Sequence, residues 1–168
     1  MRRELTSLLL VVAAMMCSCA ATPPGKAETA VMTRLKRWTT GGRKMTNPQP
    51  ATPENIAAGK EAFSHFCAAC HGLDGQKTGV PFADRMSPPV PSLTAQHVQQ
   101  YKDGQLKRII DEGIGPSGMP GSKGILNDDE IWSIVLYLRH LPPQGSLGEP
   151  QMYSGETCPP NDQPANGR

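Results

Sequence analysis

The chain has 168 residues, which is enough for one domain of roughly 100 residues with appendages. Only 38% of the residues are hydrophobic and 5% are aromatic, so side chains alone provide little material for a core, and we expect a metal, a disulfide or a cofactor to add stability. The net charge of +2 combines a basic leader with a mildly acidic body whose basic residues are scattered, and this distribution gives no support to nucleic-acid binding.

Residues 1–20 have the pattern of a bacterial export signal. Two arginines precede an apolar run at residues 8–16, which is too short for an ordinary membrane span, and small residues follow it. Cleavage after Ala20 and lipidation of Cys19 are both compatible with this pattern, and a retained anchor helix is a third reading. We therefore expect an exported bacterial protein, either periplasmic or membrane-anchored and facing the periplasm.

Residues 21–50 are predicted to form a basic, Pro-rich tether. Six basic side chains stand against one acidic side chain in residues 26–46. Such a segment is typical of a solvated linker, and it could also lie on an anionic lipid surface beside a lipid anchor.

The first convincing helix begins after this tether. Thr52 can cap it, and Pro53 suits the first helical position, where no N–H group is needed. Apolar residues then recur at helical spacing to about Ala69. We expect this helix to lead directly into the sequence CHG at residues 70–72.

The middle of the chain is predicted to be irregular, with two shorter helices. Residues 72–93 are rich in Gly and Pro and show no strand alternation. Thr94 can cap a short helix to about Tyr101, and Asp103 can cap a second helix that Gly113 ends.

The last helix has the clearest sequence signals. Asn127 and Glu130 have the spacing of a capping box, a broad apolar face follows, and Pro142 comes just after the expected end. The folded domain is therefore predicted at residues 51–143, all-α with long Gly/Pro-rich loops. Residues 144–168, which include Cys158, are predicted to be a disordered tail.

Residues 66–72 read FCAACHG and contain the main chemical motif. Cys-x-x-Cys alone could be a redox dithiol, half of a zinc site or a small disulfide. A zinc site would need a second ligand pair, and a thioredoxin-like motif would need alternating strands and helices. Cys-x-x-Cys-His on an exported chain is much more specific for covalent attachment of haem c, in which Cys67 and Cys70 bind the porphyrin and His71 binds the iron.

The occupant of the sixth iron position would decide the function. A methionine thioether there is typical of an electron carrier, whereas an open position permits ligand binding or peroxide chemistry. Met119 lies on a Gly/Pro-rich loop between two helices and is the main candidate. Met86 is the reserve ligand, and His97 is a further candidate that we expect at the surface.

Three segments together resemble a monohaem class I cytochrome c of the bacterial periplasmic type. They are AAGKEAFSHFCAACHGLDGQ, then GMP, then LNDDEIWSIVLYLRHLP, and the resemblance covers residues 54–142. It implies that the N- and C-terminal helices pack crosswise around a covalently bound haem, with Gly59 and Phe63 against the face around Trp132 and Tyr137. It also implies that Met119 is the distal ligand and that the carbonyl of a proline, of which Pro81 is the nearest, accepts a hydrogen bond from His71.

The expected function is single-electron transfer between respiratory or periplasmic redox partners, by a monomer that is not itself an enzyme. Two alternatives remain open: a cytochrome subunit docked permanently on a dehydrogenase or respiratory complex, and a ligand sensor or peroxidase with an open sixth site. Few lysines flank the predicted haem loops, so a mostly apolar contact with partners is expected.

Overall fold

The structure is a computed structural model that describes residues 31–32, 34–35 and 38–154. The chain divides into two units, Met1–Lys36 and Arg37–Arg168. The described residues of the first unit are helical. The predicted export signal, Cys19 and Cys158 lie outside the described residues.

The described part of the second unit is helical, which confirms the predicted all-α fold. Its only β-pairing is two isolated bridges, one of which joins Ile114 to Met119. The helices are α1 (Pro53–Phe66), α2 (Ala68–His71), α3 (Gln96–Gln99), α4 (Asp103–Glu112) and α5 (Asp128–Arg139), with 3-10 turns at Ala83–Arg85, Gly115–Ser117 and Gln151–Tyr153.

Local capping signals position the two main helices as predicted. The Thr52 hydroxyl accepts a hydrogen bond from the N–H of Asn55 at the start of α1. At the start of α5, the Asn127 side chain accepts from the N–H of Glu130 at 3.0 Å, and the Glu130 carboxylate accepts from the N–H of Asn127 at 2.8 Å. This reciprocal pair is the capping box.

Two other cap predictions were wrong, because long-range partners take the side chains. Asp103 is the first residue of α4 rather than its cap, and its carboxylate accepts hydrogen bonds from the Arg139 guanidinium at 2.8 and 3.0 Å. Thr94 donates instead to the Gln76 side chain at 3.2 Å, so the short helix α3 begins later and has no side-chain cap. The first helix also ends earlier than predicted, at Phe66.

The core forms where α1 crosses α5. Gly59 lies directly against the backbone of Ser133, and a Cβ atom at Gly59 would come 1.9 Å from the Ser133 carbonyl oxygen. One turn further along α1, the Phe63 ring packs against Tyr137 with 5.3 Å between centroids. The buried residues of this main core are Phe63, Leu93, Val98, Leu106, Ile110, Leu126, Ile131, Trp132, Ile134, Val135, Tyr137 and Leu138.

Part of the predicted tether is packed on the domain. The Asn47 side chain donates to the Trp132 carbonyl at 2.9 Å, and Gln49 accepts from the Ser133 hydroxyl at 2.7 Å. The Gln105 side chain donates to the Thr40 carbonyl at 3.0 Å. Hydrogen bonds that reach 65 to 85 residues along the chain hold residues 40–49 in place, although this stretch lies outside the predicted domain.

Residues 144–154, which were expected to be disordered, are also packed on the domain. The N–H of Gly145 donates to the Asp74 carboxylate at 2.7 Å, and the Tyr153 hydroxyl donates to the Ala69 carbonyl at 2.9 Å. The Tyr153 ring also packs edge-on against Phe82, with 6.0 Å between centroids. This segment therefore continues the folded body past residue 143. No helix in the described part of the chain is long and apolar enough to cross a membrane.

Replacing Gly59 with Ala tests the helix crossing. We expect a loss of about 3 kcal/mol or more in the free energy of unfolding, because the new methyl group meets the Ser133 carbonyl rather than a movable side chain. Gly115→Ala is the matched control, since nothing lies within 4 Å of its Cβ position, and its effect should stay within about 0.5 kcal/mol. Urea unfolding would measure both values, and equal effects would contradict the close approach.

Candidate functional site

The Cys-x-x-Cys-His motif forms one tight turn at the end of α1. Cys67 closes α1 by donating its N–H to the Phe63 carbonyl at 2.9 Å. Its own carbonyl accepts from the N–H groups of Cys70 at 3.2 Å and His71 at 3.0 Å. Both cysteines are partly buried free thiols. The turn therefore brings the two thiols and the imidazole together.

The other readings of this motif fit the site less well. Burial, together with the charge of Cys70, raises the pKa of the Cys67 thiol to about 12. A redox dithiol works through a thiolate with a lowered pKa, so this environment disfavours dithiol chemistry. Within the described residues, no cluster of three or more His, Cys, Asp or Glu side chains is arranged to hold a metal ion, so the structure gives no support to a zinc site there.

His71 is held against the core as a neutral ring. Its ring lies 6.5 Å from that of Phe63, measured between centroids. Burial lowers the pKa of His71 to about 4, against the opposing effect of the Pro91 carbonyl. Nδ1 is buried and makes no hydrogen bond of ordinary geometry with the described residues. A neutral imidazole is the form that binds a metal ion.

The prediction that the Pro81 carbonyl accepts a hydrogen bond from His71 was wrong. The Pro81 carbonyl accepts from the Arg85 guanidinium at 3.0 Å, and the proline carbonyl that acts on His71 is that of Pro91. The sequence contains Val-Pro at both places, and distance along the chain favoured the nearer one. The N–H of Leu93 donates to the Gly75 carbonyl at 2.8 Å, and this bond brings the chain beside Pro91 back to the loop that follows His71.

Met119 and Met86 occupy different surroundings. Met119 is partly buried and packs against the main core, as Cys67 does. Its carbonyl accepts from the N–H of Ile114 at 2.9 Å, which closes the loop that carries it. Met86 packs against a second cluster formed by Val80, Ala83 and Val90. The Met86 methyl group nevertheless lies 3.8 Å from the Cβ position of Gly118, so it reaches the same loop.

The other residues that the sequence singled out lie at the surface or in the core. His97 is exposed on α3. Trp132 and Tyr137 are 6% and 3% exposed, as expected for core residues. The Tyr137 hydroxyl donates to the Leu73 carbonyl at 3.0 Å.

Sequence reasoning missed Asp74, which lies in the loop that follows the motif. It is fully buried, and its carboxylate accepts from the Gln76 N–H at 2.8 Å, from the Gly145 N–H at 2.7 Å and from the Thr78 hydroxyl. The sequence signal was available, because an aspartate before glycine often turns the chain by accepting from an N–H two residues later.

The residues of this site fit a covalently bound haem. Thiols three residues apart on one turn, a neutral imidazole beside them and a thioether on the same core form the donor set of a c-type haem. Two exposed apolar side chains adjoin the two ends of the donor set. Phe66 precedes Cys67, and Ile114 is paired with Met119.

The fold and the motif together define the class of the protein, a class I monohaem cytochrome c that carries haem c and transfers electrons. The chain belongs to the family described as "Cytochrome C oxidase, cbb3-type, subunit III", which it matches over residues 54–138, about half of its length. The matched region begins and ends inside α1 and α5 and contains the whole motif.

Two relatives are much larger proteins named as dehydrogenases. The chain is 32% identical over 93 residues to quinohemoprotein alcohol dehydrogenase ADH IIB of Pseudomonas putida, a match of 54% of this chain and 12% of the relative. It is 30% identical over 112 residues to thiosulfate dehydrogenase of Stutzerimonas stutzeri (strain A1501), a match of 64% of this chain and 33% of the relative. The chain therefore spans a third or less of the length of these relatives.

Acid unfolding tests the buried carboxylate of Asp74. Burial alone would raise its pKa, but hydrogen bonds from Thr78, Gly145 and Gln76 outweigh burial and bring the pKa below the ordinary value of 3.8. The carboxylate therefore stabilises the fold above pH 3.8, and this contribution is lost as the pH falls through the lowered pKa. We expect Asp74→Asn to be less stable than wild type at neutral pH, and the gap to shrink in acid.

Urea unfolding at neutral pH and at about pH 2.5 would measure that gap. Glu61→Gln, which changes an exposed carboxylate of α1, is the control and should stay close to wild type at both values. A gap for Asp74→Asn that does not change with pH would contradict a lowered pKa.

Proposed function

We propose that Cys67, Cys70, His71 and Met119 hold the single haem c of this electron carrier. The two cysteine sulfurs would form the thioether bonds to the porphyrin, and His71 and Met119 would bind the iron. The observation that carries this proposal is the single turn that presents both thiols and the imidazole on the core against which Met119 also packs. When bound, the haem supplies one-electron chemistry by cycling between ferric and ferrous iron.

The chain contributes by fixing the ligands and limiting the access of water. Phe63 supports one side of the His71 ring, and the Pro91 carbonyl increases the basicity of the same ring. Met119 lies on a loop that its backbone pairing with Ile114 closes. This pairing fixes the position of the residue that carries the thioether. Thioether ligation favours the ferrous state and raises the reduction potential.

The proposed working role is that of an exported, single-electron shuttle without catalytic activity of its own. Phe66 and Ile114, which are 54% and 38% exposed, provide apolar surface beside Cys67 and Met119 for contact with redox partners. Lys77, in the loop after the motif, is paired with Asp84, so little unpaired positive charge lies there to steer an acidic partner. Attachment to a membrane would depend on the choice between cleavage after Ala20 and lipidation of Cys19.

A permanently docked cytochrome subunit is the second candidate. Supporting it, the family is described by the name of an oxidase subunit and both relatives carry the names of dehydrogenases. Affinity purification from the native membrane and soluble fractions distinguishes the two: recovery of the cytochrome alone supports the shuttle, and stoichiometric recovery with a larger redox protein supports the subunit.

Visible spectroscopy of the Met119→Ala holoprotein tests the sixth ligand. We expect wild type to be low-spin, to show the weak red band of sulfur–iron ligation in the ferric state and not to change with carbon monoxide. Met119→Ala should lose that band and bind carbon monoxide in the ferrous state, because its iron has lost the thioether.

Met86→Ala is the matched control, since the Met86 methyl group reaches the loop that carries Met119. It should keep the red band. Loss of the band in Met86→Ala but not in Met119→Ala would transfer the ligand to Met86. A wild-type spectrum that is high-spin and changes with carbon monoxide would overturn the electron-carrier assignment of this site in favour of sensing or catalysis.

Covalent attachment is tested separately through the cysteines. Haem in wild type should remain with the polypeptide after denaturing electrophoresis, as detected by its peroxidase activity in the gel. We expect the double variant Cys67→Ser, Cys70→Ser to lose this staining, because serine forms no thioether bond. Staining that survives in the double variant would contradict attachment at these positions.

A further inference from the structure

Asp74 is a carboxylate buried beside the haem motif. Asp74 is 0% exposed, and it follows His71 by three positions in the chain. Four neutral donors surround its oxygens. They are the N–H groups of Gln76, Thr78 and Gly145 and the hydroxyl of Thr78. Such a shell of donors stabilises the ionised form of the carboxylate.

No cation neutralises this carboxylate among the described residues. The ion pairs there join Lys77 to Asp84, Lys107 to Asp111 and Asp128, Arg108 to Glu112 and Arg139 to Asp103. The hydroxyl and N–H dipoles spread the charge of Asp74 without cancelling it. The loop therefore buries a carboxylate whose lowered pKa keeps it ionised at neutral pH, without a cation paired to it among the described residues.

The loop holds this charge close to His71. The N–H of Lys77 donates to the His71 carbonyl at 2.7 Å, which closes residues 71–77 into a compact turn around Asp74. Three peptide units separate the Cα atoms of His71 and Asp74 by at most about 11 Å. Burial, and in addition the charge of Asp74, raises the pKa of Tyr137, whose ring packs on Phe63.

We propose that Asp74 is a fixed buried charge that lowers the reduction potential of the haem held by His71. This inference rests on the proposed function, in which His71 is an iron ligand. Ferric haem has one more positive charge than ferrous haem, so a nearby anion stabilises the ferric state more. Because Asp74 is buried, water and salt screen this preference much less than they would screen a surface carboxylate.

The effect opposes that of a methionine ligand. Thioether ligation moves the potential up, whereas the carboxylate moves it down. The loop after the motif thus provides a means of setting the potential that is separate from the ligands. The same carboxylate ties residue 145 to this loop, so the charge is fixed in place by the segment that packs over it.

A redox titration of the Asp74→Asn holoprotein, followed by visible absorption, tests the proposal. At a fixed applied potential near the wild-type midpoint, we expect the ratio of ferrous to ferric haem to rise about ten-fold, the size expected for one charge at roughly 10 Å in a protein environment. The increase should remain at high salt, because the charge is buried.

Two further variants separate charge from loop structure. Glu61→Gln removes an exposed carboxylate from α1 and should leave the ratio almost unchanged. Thr78→Val removes one hydrogen bond to Asp74 but keeps its charge, so the ratio should stay the same or fall. A rise in Thr78→Val as large as that in Asp74→Asn would overturn the proposal, since loosening of the loop would then explain both.

An equal rise in Glu61→Gln and Asp74→Asn, or no rise in Asp74→Asn, would also overturn it. If Asp74→Asn does not incorporate haem, Thr78→Val still decides, because a raised ratio there contradicts a fixed charge. Failure of the proposed ligands is recognised separately, because wild type would then lack the red sulfur–iron band. If only the present inference fails, wild type keeps that band and the redox titration of Asp74→Asn shows no shift.

Discussion

The close approach of α1 to α5 at Gly59 is the contact on which the haem motif depends. Because no Cβ separates the helix from the Ser133 carbonyl, α1 lies deep enough for Phe63 to reach Tyr137 one turn later. Phe63 then does two things: its carbonyl closes α1 at Cys67, and its ring supports His71. The position of the Cys-x-x-Cys-His turn therefore depends on a helix crossing that a glycine makes possible. A domain with so few aromatic residues uses one of them, Phe63, for both the core and the site.

Hydrogen bonds and a small apolar cluster together order the loop after the motif. Val80, Ala83 and Val90 form that cluster, and the buried carboxylate of Asp74 holds residues 74–78 by accepting from backbone and hydroxyl donors. Residues 145–153 complete this arrangement from outside, since Gly145 donates to Asp74 and Tyr153 donates to the Ala69 carbonyl inside the motif. A buried charge stabilised in this way requires all of its donors. The loop, the motif and the segment after residue 143 therefore form one connected structure.

Local signals made much of the fold predictable. The caps at Thr52 and Asn127, the stop at Gly113 and the identity of the class all follow from short stretches of sequence, because each depends on neighbours within a few residues. Contacts between distant parts of the chain were not predictable. Arg139 donates to Asp103, the side chain that was expected to cap α4. Asn47 donates to the α5 backbone at a residue 85 positions later in the chain. The choice of Pro91 over Pro81 likewise depends on how a loop closes, which no local pattern encodes.

The charged side chains near α4 and α5 are paired differently from Asp74 in the loop after the motif, and this difference bears on electron transfer. Near α4 and α5, the cations of Lys107 and Arg139 are each held by carboxylates, and Lys107 also lies 5.9 Å from the centre of the Trp132 ring. Asp74, in the loop after the motif, is instead buried against N–H and hydroxyl donors, and no cation pairs with it among the described residues. The surface pair of Lys77 and Asp84 in the same loop is screened by water, whereas the buried anion is proposed to act on the haem iron. In the proposed function, the anion inside and apolar side chains such as Phe66 outside have separate tasks. The buried anion sets how readily the haem gives up its electron, and the apolar surface determines which redox partners can bind close to the haem.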